Sequence, residues 1–443
     1  GPLHRSGAPI MKILVLGGYG LIGAAVVRRL LADGHAVVGL GRDTAQAARA
    51  MPAVTWITAD LARLGTAEAW RPLLAAHAPD AIVNCAGVLQ DSARARVGAV
   101  QSAAIRALIA AVPSAGIARF VQISATRADT GADTAFMRSK GEADAALAAS
   151  PLAWTILRPG LVLAPQAYGG TALLRAVAAL PGAIPLTRAD ASVRTVWVED
   201  VADAVARVLA GEVAARRVYD LVEDEAHTLA DVARAMRGWL GLAPVQLVAV
   251  PEPLARVVAL GADGLGWLGW RSPFRSTAMT ELAAGIRGDP APWRAAAGRP
   301  LLSLAETLAR MPSTVQERWF ARLFLLKPLV IATLAAFWIA TGVVTLADLD
   351  AAAGVLTERG VGVVVGAGTA FGGALVDIAL GIGILVRRWS RTAALGMIAV
   401  TLLYLVGGTL LAPDLWTDPL GPLVKAIPAA VLALVALALG EDR

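Results

Sequence analysis

A short apolar segment that leads into a glycine-rich turn and a helix constrains the fold of this chain more than any other feature. The segment is Lys12–Leu16, and Gly17, Gly20 and Gly23 follow it at a spacing of three residues. Glycines let the backbone turn tightly and approach a diphosphate, while the free N–H groups at the start of the helix point at it. The pattern predicts a strand, a dinucleotide-binding turn and a helix.

Four more short apolar segments alternate with helical segments along the chain. Strands that alternate with helices form a doubly wound parallel sheet, and its ligand lies at the carboxyl ends of the strands. We therefore predict an α/β Rossmann fold for the N-terminal part of the chain. The four further strands are predicted at His35–Leu40, Val54–Thr58, Ala81–Asn84 and Arg119–Ile123.

The end of the second predicted strand bears on the choice between NAD and NADP. An acidic residue at this point binds the ribose 2′-hydroxyl of NAD, whereas an arginine accommodates the 2′-phosphate of NADP. The sequence has Gly41 and then Arg42 here. We expect NADP(H) in preference to NAD(H), with Arg42 as the phosphate ligand. The alternative is that Arg42 is only a solvated surface residue.

These motifs resemble those of the extended and atypical short-chain dehydrogenase/reductases, which include NAD-dependent epimerases and dehydratases. The likeness runs from Met11 to about Pro312. Within that range, two further segments match family motifs, Leu157–Gly160 and Val198–Ala202. The resemblance implies a nicotinamide dinucleotide as ligand. It also implies cofactor contacts from residues in each motif: Gly17, Tyr19, Gly20, Leu21, Ile22, Gly23, Arg42, Asp60, Leu61, Cys85, Ala86, Gly87, Ser124, Lys140 and Pro159.

The resemblance further implies a catalytic set of serine, tyrosine and lysine, and this chain keeps two of the three. Ser124 and Lys140 stand at the family's positions, but Phe136 replaces the tyrosine four residues before the lysine. A phenyl ring has no proton to give, so the usual proton transfer is not available. Lys140 holds the ribose in the family, so cofactor binding can survive this change. Thr126, Tyr168 or a bound water are the candidates to replace the missing hydroxyl.

Beyond Phe324 the sequence changes to long uncharged runs. The whole chain is 57% hydrophobic and only 17% charged, which is too apolar for a purely soluble protein. Four runs approach the roughly 20 residues that span a bilayer. They predict a C-terminal all-α transmembrane four-helix bundle with helices at 324–346, 361–386, 392–411 and 423–439. By hydropathy and loop charge, the bundle resembles the DoxX-like family, which is linked in places to quinone-dependent oxidation.

The loops predict the orientation of the bundle. Arg387–Arg391 carries three arginines, whereas Asp348–Arg359 and Asp414–Asp418 are acidic on balance. Cationic loops stay in the cytoplasm, so we expect a multi-pass protein of bacterial inner-membrane type with its Rossmann domain and both termini cytoplasmic. Asp377 falls inside the second run, where a carboxylate is either paired, with Lys327 as a possible partner, or protonated and structural.

The remaining features bound the domains and exclude several classes of site. Residues 1–10 precede Met11 and look like a cloning scar, residues 11–312 hold the Rossmann domain with a small substrate lobe, and residues 313–443 hold the membrane domain. Cys85 is the only cysteine and no metal-ligand cluster is visible. The net charge of +6 comes from scattered arginines without interleaved aromatics, which excludes a nucleic-acid partner.

An almost uncharged segment, Pro251–Trp270, precedes the membrane domain. It is either a helix that lies on a membrane surface with its tryptophans at the interface, or a buried core helix or cover of the substrate cleft. Either would suit an apolar substrate.

Three functions are consistent with these sequence features. The first is an NADPH-dependent oxidoreductase whose substrate is membrane-soluble, such as a quinone or a lipid. The second is a catalytically silent NAD(P)H-binding sensor or structural subunit, because the site resembles that of the nucleotide-binding accessory subunit of mitochondrial complex I. The third is a transporter or channel gated by the nucleotide domain, for which one intramembrane acid is weak support.

Overall fold

The computed structural model of the chain divides into two compact units. The first comprises the described residues up to 263 together with 284–321, and the second comprises 264–270 and the described residues from 322 onward. The residues that the structure describes are 9–87, 102–117, 119–270, 284–419 and 421–440. The predicted boundary between residues 312 and 313 stays a prediction.

The first unit contains thirteen strands in its described residues. In chain order they are β1 (Lys12–Leu16), β2 (Ala36–Gly41), β3 (Thr55–Thr58), β4 (Ala81–Asn84), β5 (Arg119–Ile123), β6 (Ala153–Pro159), β7 (Leu161–Leu163), β8 (Ala183–Leu186), β9 (Ser192–Val193), β10 (Thr195–Trp197), β11 (Arg217–Leu221), β12 (His227–Thr228) and β13 (Gln246–Ala249).

Seven of these strands form a parallel sheet in the order β3-β2-β1-β4-β5-β6-β11. The chain runs outward from β1 in one direction and then outward from β4 in the other, so the order reverses between these two strands. The doubly wound Rossmann sheet predicted from the sequence is confirmed. In such sheets the ligand binds outside the carboxyl ends of the strands at this reversal.

Burial on both faces explains why the strands are continuous apolar runs. Ile13 and Val15 face one hydrophobic core together with Val26 and Val27 of the first helix. Leu14 and Leu16 face a second core on the other side of the sheet. The five strands predicted from the sequence agree with the observed ones to within one residue at each end.

Helices cover both faces of the sheet and form the small lobe beside it. They are α1 (Leu21–Ala32), α2 (Ala45–Ala50), α3 (Ala67–His77), α4 (Ala104–Ala111), α5 (Ala135–Ala148), α6 (Gly169–Ala178), α7 (Val198–Ala210), α8 (Leu229–Trp239), α9 (Glu252–Trp267), α10 (Ala291–Ala297) and α11 (Leu304–Arg310).

An ion-pair network joins the last turn of α1 to α7. Asp203 accepts hydrogen bonds from Arg29 at 2.5 Å and from Arg207 at 2.7 Å. Burial alone would raise the pKa of the Asp203 carboxyl, but the hydrogen bonds from the two arginines outweigh it and bring the pKa down to about 2. The network therefore keeps its charges throughout the physiological pH range and fixes α1 on the sheet.

The segment that leaves this unit contains the exposed helix α9. Val257 is 66% exposed and Leu260 is 69% exposed, so α9 is not a buried core helix. The expectation of a buried core helix is therefore wrong, whereas a cover of the substrate cleft stays a prediction. An apolar helix surface of this kind is typical of a helix that contacts a membrane or a partner.

The second unit is all-α. Its helices are α12 (Val315–Ala347, of which the residues from 322 belong to this unit), α13 (Leu349–Thr357), α14 (Val363–Leu385), α15 (Ser390–Leu411) and α16 (Pro422–Ala438). Among the described residues, α12, α14 and α15 are long and apolar enough to cross a membrane. The fourth predicted run is the shorter apolar helix α16, which has 17 residues. That length is at the lower end of what spans a bilayer.

Glycines allow the bundle helices to pack closely. A Cβ atom built on Gly342 of α12 would lie 2.6 Å from the Ala374 carbonyl oxygen of α14. A Cβ atom on Gly381 of α14 would lie 2.9 Å from the backbone nitrogen of Ile339. Small residues at such contacts are typical of membrane helices, which associate through close packing because lipid tails are as apolar as their side chains.

Candidate functional site

The glycine turn is folded tightly against the end of β4. Gly17 has a φ of +69°, which favours glycine, and its N–H donates to the Leu40 carbonyl oxygen at 2.9 Å. A Cβ atom on Gly17 would lie 2.9 Å from the Cα atom of Ala86. A Cβ atom on Gly23 would lie only 2.1 Å from the Gly17 carbonyl oxygen. A side chain at position 17 or 23 would therefore clash with the backbone of this turn.

The start of α1 fits a dinucleotide's diphosphate. Gly20 is the N-cap residue and, as a glycine, offers no side-chain oxygen to the first N–H groups of the helix. The turn brings backbone instead of side chains up to that point, so a diphosphate can approach these N–H groups and the positive end of the helix dipole. Leu21 and Ile22 form the first helical turn and are half-buried.

Tyr19 gives a physical reason for glycine at position 41. A Cβ atom on Gly41 would lie 2.0 Å from the Cε1 atom of the Tyr19 ring, and the Tyr19 hydroxyl accepts the backbone N–H of Arg42 at 3.2 Å. The ring also packs against Trp56, with 6.0 Å between the ring centroids. Glycine at position 41, where an acid was expected, thus leaves room for the Tyr19 ring. The sequence pattern did not reveal this role of Gly41. The Arg42 side chain is exposed beside it.

The end of β3 lies next to the same corner. The N–H of Ala59 donates to the Gly41 carbonyl oxygen at 2.9 Å. Asp60 follows and caps a short 3-10 turn that begins at Leu61, because its Oδ1 accepts the N–H of Ala62 at 3.0 Å. The structure therefore brings Asp60 and Leu61 to the edge of the sheet where the adenosine half of a dinucleotide is expected.

Lys140 lies on the opposite side of the glycine turn, beneath the ends of β4 and β5. Its Nζ donates to the Ile123 carbonyl oxygen at 2.8 Å and to the Ala86 carbonyl oxygen at 3.2 Å. The residue is only 6% exposed. Burial lowers the pKa of the ammonium group, and the negative charge of Asp144 opposes that change. An ammonium with two of its three donors directed to the strand ends has a third that can reach a sugar hydroxyl.

Ser124 has a partner that sequence reasoning missed. Its Oγ donates to the Oδ2 of Asp144 at 2.6 Å, and Arg158 donates to the same oxygen at 3.1 Å. Burial raises the pKa of the Asp144 carboxyl, and the hydrogen bond from Ser124 and the charge of Arg158 act against it. Asp144 stands one helical turn after Lys140, and that spacing was the available signal in the sequence.

Phe136 lies one turn before Lys140 on α5 and is half-buried. Residues four apart lie on the same face of a helix, so the phenyl ring and the buried ammonium share one face. Of the candidates for the missing hydroxyl, Tyr168 is 46% exposed at the start of α6, and Thr126 is half-buried in the segment after β5. Burial raises the pKa of the Cys85 thiol to about 12, which keeps this residue a neutral thiol.

A buried amide pair orients the segment that carries Cys85, Ala86 and Gly87. Asn84 donates through Nδ2 to the Gln122 side-chain oxygen at 2.7 Å, and its own side-chain oxygen accepts the N–H of Ala86 at 3.0 Å. Both amides are 1% exposed and so depend on each other for hydrogen bonds. Neither was predicted as a site residue. Pro159 is buried at the carboxyl end of β6.

Comparison with known proteins supports this description of the two units. Residues 17–212 match a family model described as NAD(P)H-binding, and residues 335–434 match the model of the DoxX-like family. No curated protein sequence matches the chain significantly.

Solved structures share the fold of the N-terminal part. The Bordetella bronchiseptica enzyme WbmG in complex with NAD has a TM-score of 0.53 and 16% identity, covering 69% of this chain and 94% of its own. Thermotoga maritima UDP-glucose 4-epimerase with UDP-glucose has a TM-score of 0.52 and 16% identity, covering 71% and 100%. Thermus thermophilus UDP-glucose 4-epimerase with NAD has a TM-score of 0.50 and 21% identity, covering 68% and 98%.

Identities this low show the fold alone, but the fold, the glycine turn and the two family models agree. The chain joins an NAD(P)H-binding domain with the fold of the short-chain dehydrogenase/reductases to a DoxX-like domain with helices able to span a membrane.

Proposed function

We propose that this protein is a membrane-anchored NAD(P)H-dependent oxidoreductase that acts on a membrane-soluble substrate, a quinone or a lipid. One observation carries the proposal: Lys140 is buried and held by two strand-end carbonyl oxygens beside an intact glycine turn. A buried ammonium is costly unless it is hydrogen-bonded, and these two carbonyl oxygens leave one of its three donors for a ribose hydroxyl. The apolar helices of the same chain would keep the enzyme at the membrane, where an apolar substrate is concentrated.

The residues of the site have separate roles in this proposal. The first turn of α1 would hold the diphosphate, Lys140 the nicotinamide ribose, and Asp60 the adenine. A bound nicotinamide would supply or accept the hydride. Ser124 and Asp144 can hold a proton between them, because burial favours the neutral form of the Asp144 carboxyl.

A redox assay tests the proposal directly. The full chain is purified in detergent, and oxidation of NADPH is followed by the absorbance of the reduced nicotinamide while a short-chain quinone or a lipid aldehyde is added. We expect oxidation that saturates with the acceptor and is lost in a Lys140→Met variant. Nucleotide that binds tightly yet is never oxidised with any acceptor would contradict the proposal.

A catalytically silent NAD(P)H-binding sensor or structural subunit is the second candidate. Phe136 favours it, because no hydroxyl stands one turn before Lys140. The Ser124 hydroxyl also donates to Asp144, so its proton is engaged within the protein. For such a module we expect a dissociation constant below the cellular nucleotide concentration, a change in stability on binding, and no turnover.

We further propose that the cofactor is NADP(H), bound through Arg42. The guanidinium is exposed at the end of β2, where the 2′-phosphate would lie. An Arg42→Gln variant should bind NADPH about tenfold more weakly and bind NADH as before, because a charge-assisted hydrogen bond contributes about 1.5–3 kcal/mol. Isothermal titration with both nucleotides measures the two constants. Arg49→Gln, which removes an exposed arginine from the end of α2, is the matched control. Equal losses for NADPH and NADH would contradict the assignment.

The orientation in the membrane is part of the same proposal. Arg387–Arg391 follows α14 and runs into the first residues of α15, and its charge favours the cytoplasmic side. The NAD(P)H-binding domain would then be cytoplasmic, where nicotinamide nucleotides are found.

A further inference from the structure

One face of α5 carries Phe136, Lys140 and Asp144 at a spacing of four residues. Residues four apart lie one above the other on a helix, so the three side chains share one side of α5. Phe136 stands one turn before the lysine and has no proton to give. Asp144 stands one turn after the lysine and carries a proton whenever its carboxyl is neutral. The face that lacks a proton donor before the lysine therefore has an ionisable group after it.

The Asp144 carboxyl is held against the Ser124 hydroxyl. The Asp144 Oδ2 lies 2.6 Å from the Ser124 Oγ, and the two residues are 4% and 5% exposed. Ser124 follows Ile123, whose carbonyl oxygen accepts the Lys140 ammonium at 2.8 Å. The hydroxyl therefore stands at the carboxyl end of β5, the edge of a Rossmann sheet at which the ligand binds.

The surroundings of Asp144 favour a neutral carboxyl more than water does. Its Oδ1 is buried, and none of the residues that the structure describes donates a hydrogen bond to it. A buried carboxylate oxygen without a donor is costly, and protonation reduces the cost because it removes the charge. Burial raises the pKa of this carboxyl, although the hydrogen bond from Ser124 and the charge of Arg158 act against the change.

Arg158 stabilises the carboxylate that remains once a proton has left. Its Nη2 donates to the Asp144 Oδ2 at 3.1 Å and to the Ala128 carbonyl oxygen at 3.3 Å. The charge of Lys140 acts on Asp144 in the same direction. Burial thus favours the neutral form while two cations favour the charged form, and a carboxyl balanced in this way can both give and take up a proton.

We propose that Ser124 and Asp144 form the proton-donating pair of this site and replace the hydroxyl that Phe136 lacks. This role rests on the proposed oxidoreductase function. A neutral Asp144 carboxyl donates to the Ser124 oxygen, which reverses the hydrogen bond between them and frees the Ser124 proton for an acceptor. Ser124 is the residue that meets the acceptor, and Asp144 acts through it.

Every proton in the step has a source and a destination. The acceptor gains a hydride, with its electron pair, from the reduced nicotinamide, which is oxidised. The oxygen of the acceptor takes the Ser124 hydroxyl proton, and the Ser124 oxygen takes the Asp144 proton. Serine therefore ends as it began, and Asp144 ends as a carboxylate beside Arg158. A proton from solvent restores the carboxyl after the product has left.

An Asp144→Asn variant of the full chain, purified in detergent, tests the pair with NADPH and a short-chain quinone or a lipid aldehyde. Asparagine has nearly the same shape and still offers an oxygen to the Ser124 hydroxyl, but it has no acidic proton. We expect nucleotide affinity within about twofold of the parent and turnover about 100-fold lower, because a positioned acid contributes about 10²–10⁴-fold. Asp133→Asn makes the same change at an exposed residue just before α5 and should keep the parent turnover.

The pH dependence separates a proton donor from a residue that only holds the site together. Because the donor must be protonated, the rate of the parent should fall as the pH rises through the pKa of Asp144, and Asp144→Asn should lack this fall. Arg158→Gln removes a charge that lowers the pKa of Asp144, so the fall should move up by about one pH unit or more. Slower variants that keep the pH profile of the parent would show a purely structural ion pair and would overturn the proposal.

An infrared measurement observes the proton without any turnover. At about pH 5.5 ordinary carboxyls, with pKa values of about 3.9–4.3, are mostly ionised. The difference between the spectra of the parent and of Asp144→Asn, both free of nucleotide, should contain the carbonyl band of one protonated carboxylic acid. The same difference for Asp133→Asn should lack it. Absence of the band from both differences would show that Asp144 is ionised and would overturn the pair.

The outcomes distinguish this role from the function on which it rests. A parent that never turns over with any acceptor would overturn both. Turnover of Asp144→Asn that equals the parent at every pH would overturn the pair alone and leave the oxidoreductase in place. Phe136→Tyr combined with Asp144→Asn should recover at least the parent turnover. A tyrosine would donate directly, whereas Arg158 keeps part of the Asp144 population ionised.

Discussion

Gly23→Ala should weaken the binding of nicotinamide dinucleotides about 100-fold. A methyl group at this position would meet the Gly17 carbonyl oxygen at 2.1 Å, and that atom is backbone and cannot rotate away. The turn must therefore open, which moves the N–H groups at the start of α1 away from the diphosphate. Overpacking of this kind costs about 1–3 kcal/mol, and about 1.4 kcal/mol corresponds to a tenfold change in affinity. Isothermal titration of the full chain with NADPH measures the effect.

Two further alanine variants serve as a control and as an intermediate case for this prediction. Gly65→Ala adds the same methyl group where no atom lies within 4 Å and the backbone has an ordinary φ, so the affinity should not change. Gly20→Ala places the methyl group 3.2 Å from the same Gly17 oxygen, so a smaller loss is expected than at position 23. If Gly23→Ala binds nucleotide as tightly as the parent while it remains folded, the glycine turn does not hold the diphosphate.

Phe136→Tyr should raise the turnover with a carbonyl or quinone acceptor about 100-fold, because a positioned acid contributes about 10²–10⁴-fold. The tyrosine hydroxyl would be placed one helical turn from the Lys140 ammonium, on the same face of α5. A nearby cation favours the phenolate and so lowers the tyrosine pKa towards the working pH. Stopped-flow absorbance of the reduced nicotinamide, with nucleotide binding measured in parallel, separates a faster reaction from tighter binding.

Phe136→Leu is the control, because it changes the shape of the side chain without adding a hydroxyl. It should leave the turnover near that of the parent. In the tyrosine variant, the rate of acceptor reduction should fall as the pH rises through the pKa of the new hydroxyl, since the donor must be protonated. A tyrosine variant whose rate equals that of the leucine variant at every pH would show that this position does not face the reacting atoms.

Much of the architecture could be predicted from the sequence. Lys12–Leu16 and the glycines after it are local signals, because a buried parallel strand is a continuous apolar run and a tight turn needs residues without Cβ atoms. The apolar runs of the bundle are similarly local, since length and hydropathy decide whether a helix can cross a membrane. The last run forms the shorter helix Pro422–Ala438, which begins where proline fits the first helical position.

The contacts within the site could not be read from the sequence in the same way. In the sequence, nothing distinguishes Asp144 from other polar residues of a helix. The fold places its carboxylate 2.6 Å from the Ser124 hydroxyl. In the sequence, Gly41 stands where an acidic residue was expected. Only the folded chain shows that the Tyr19 ring occupies the space that a side chain at position 41 would need. Asn84 and Gln122 are 38 residues apart and meet because β4 pairs with β5.

The chain's own sequence determined that a dinucleotide-binding α/β domain precedes a bundle of apolar helices, because periodicity, glycine spacing and hydropathy act over a few neighbouring residues. Only the tertiary structure decided which side chains share a site. It directed Ser124 to Asp144, and it placed Trp270 between Lys327 and Arg387. Such pairings join residues that are far apart in the chain, so they depend on strand order and helix packing and leave no local pattern in the sequence.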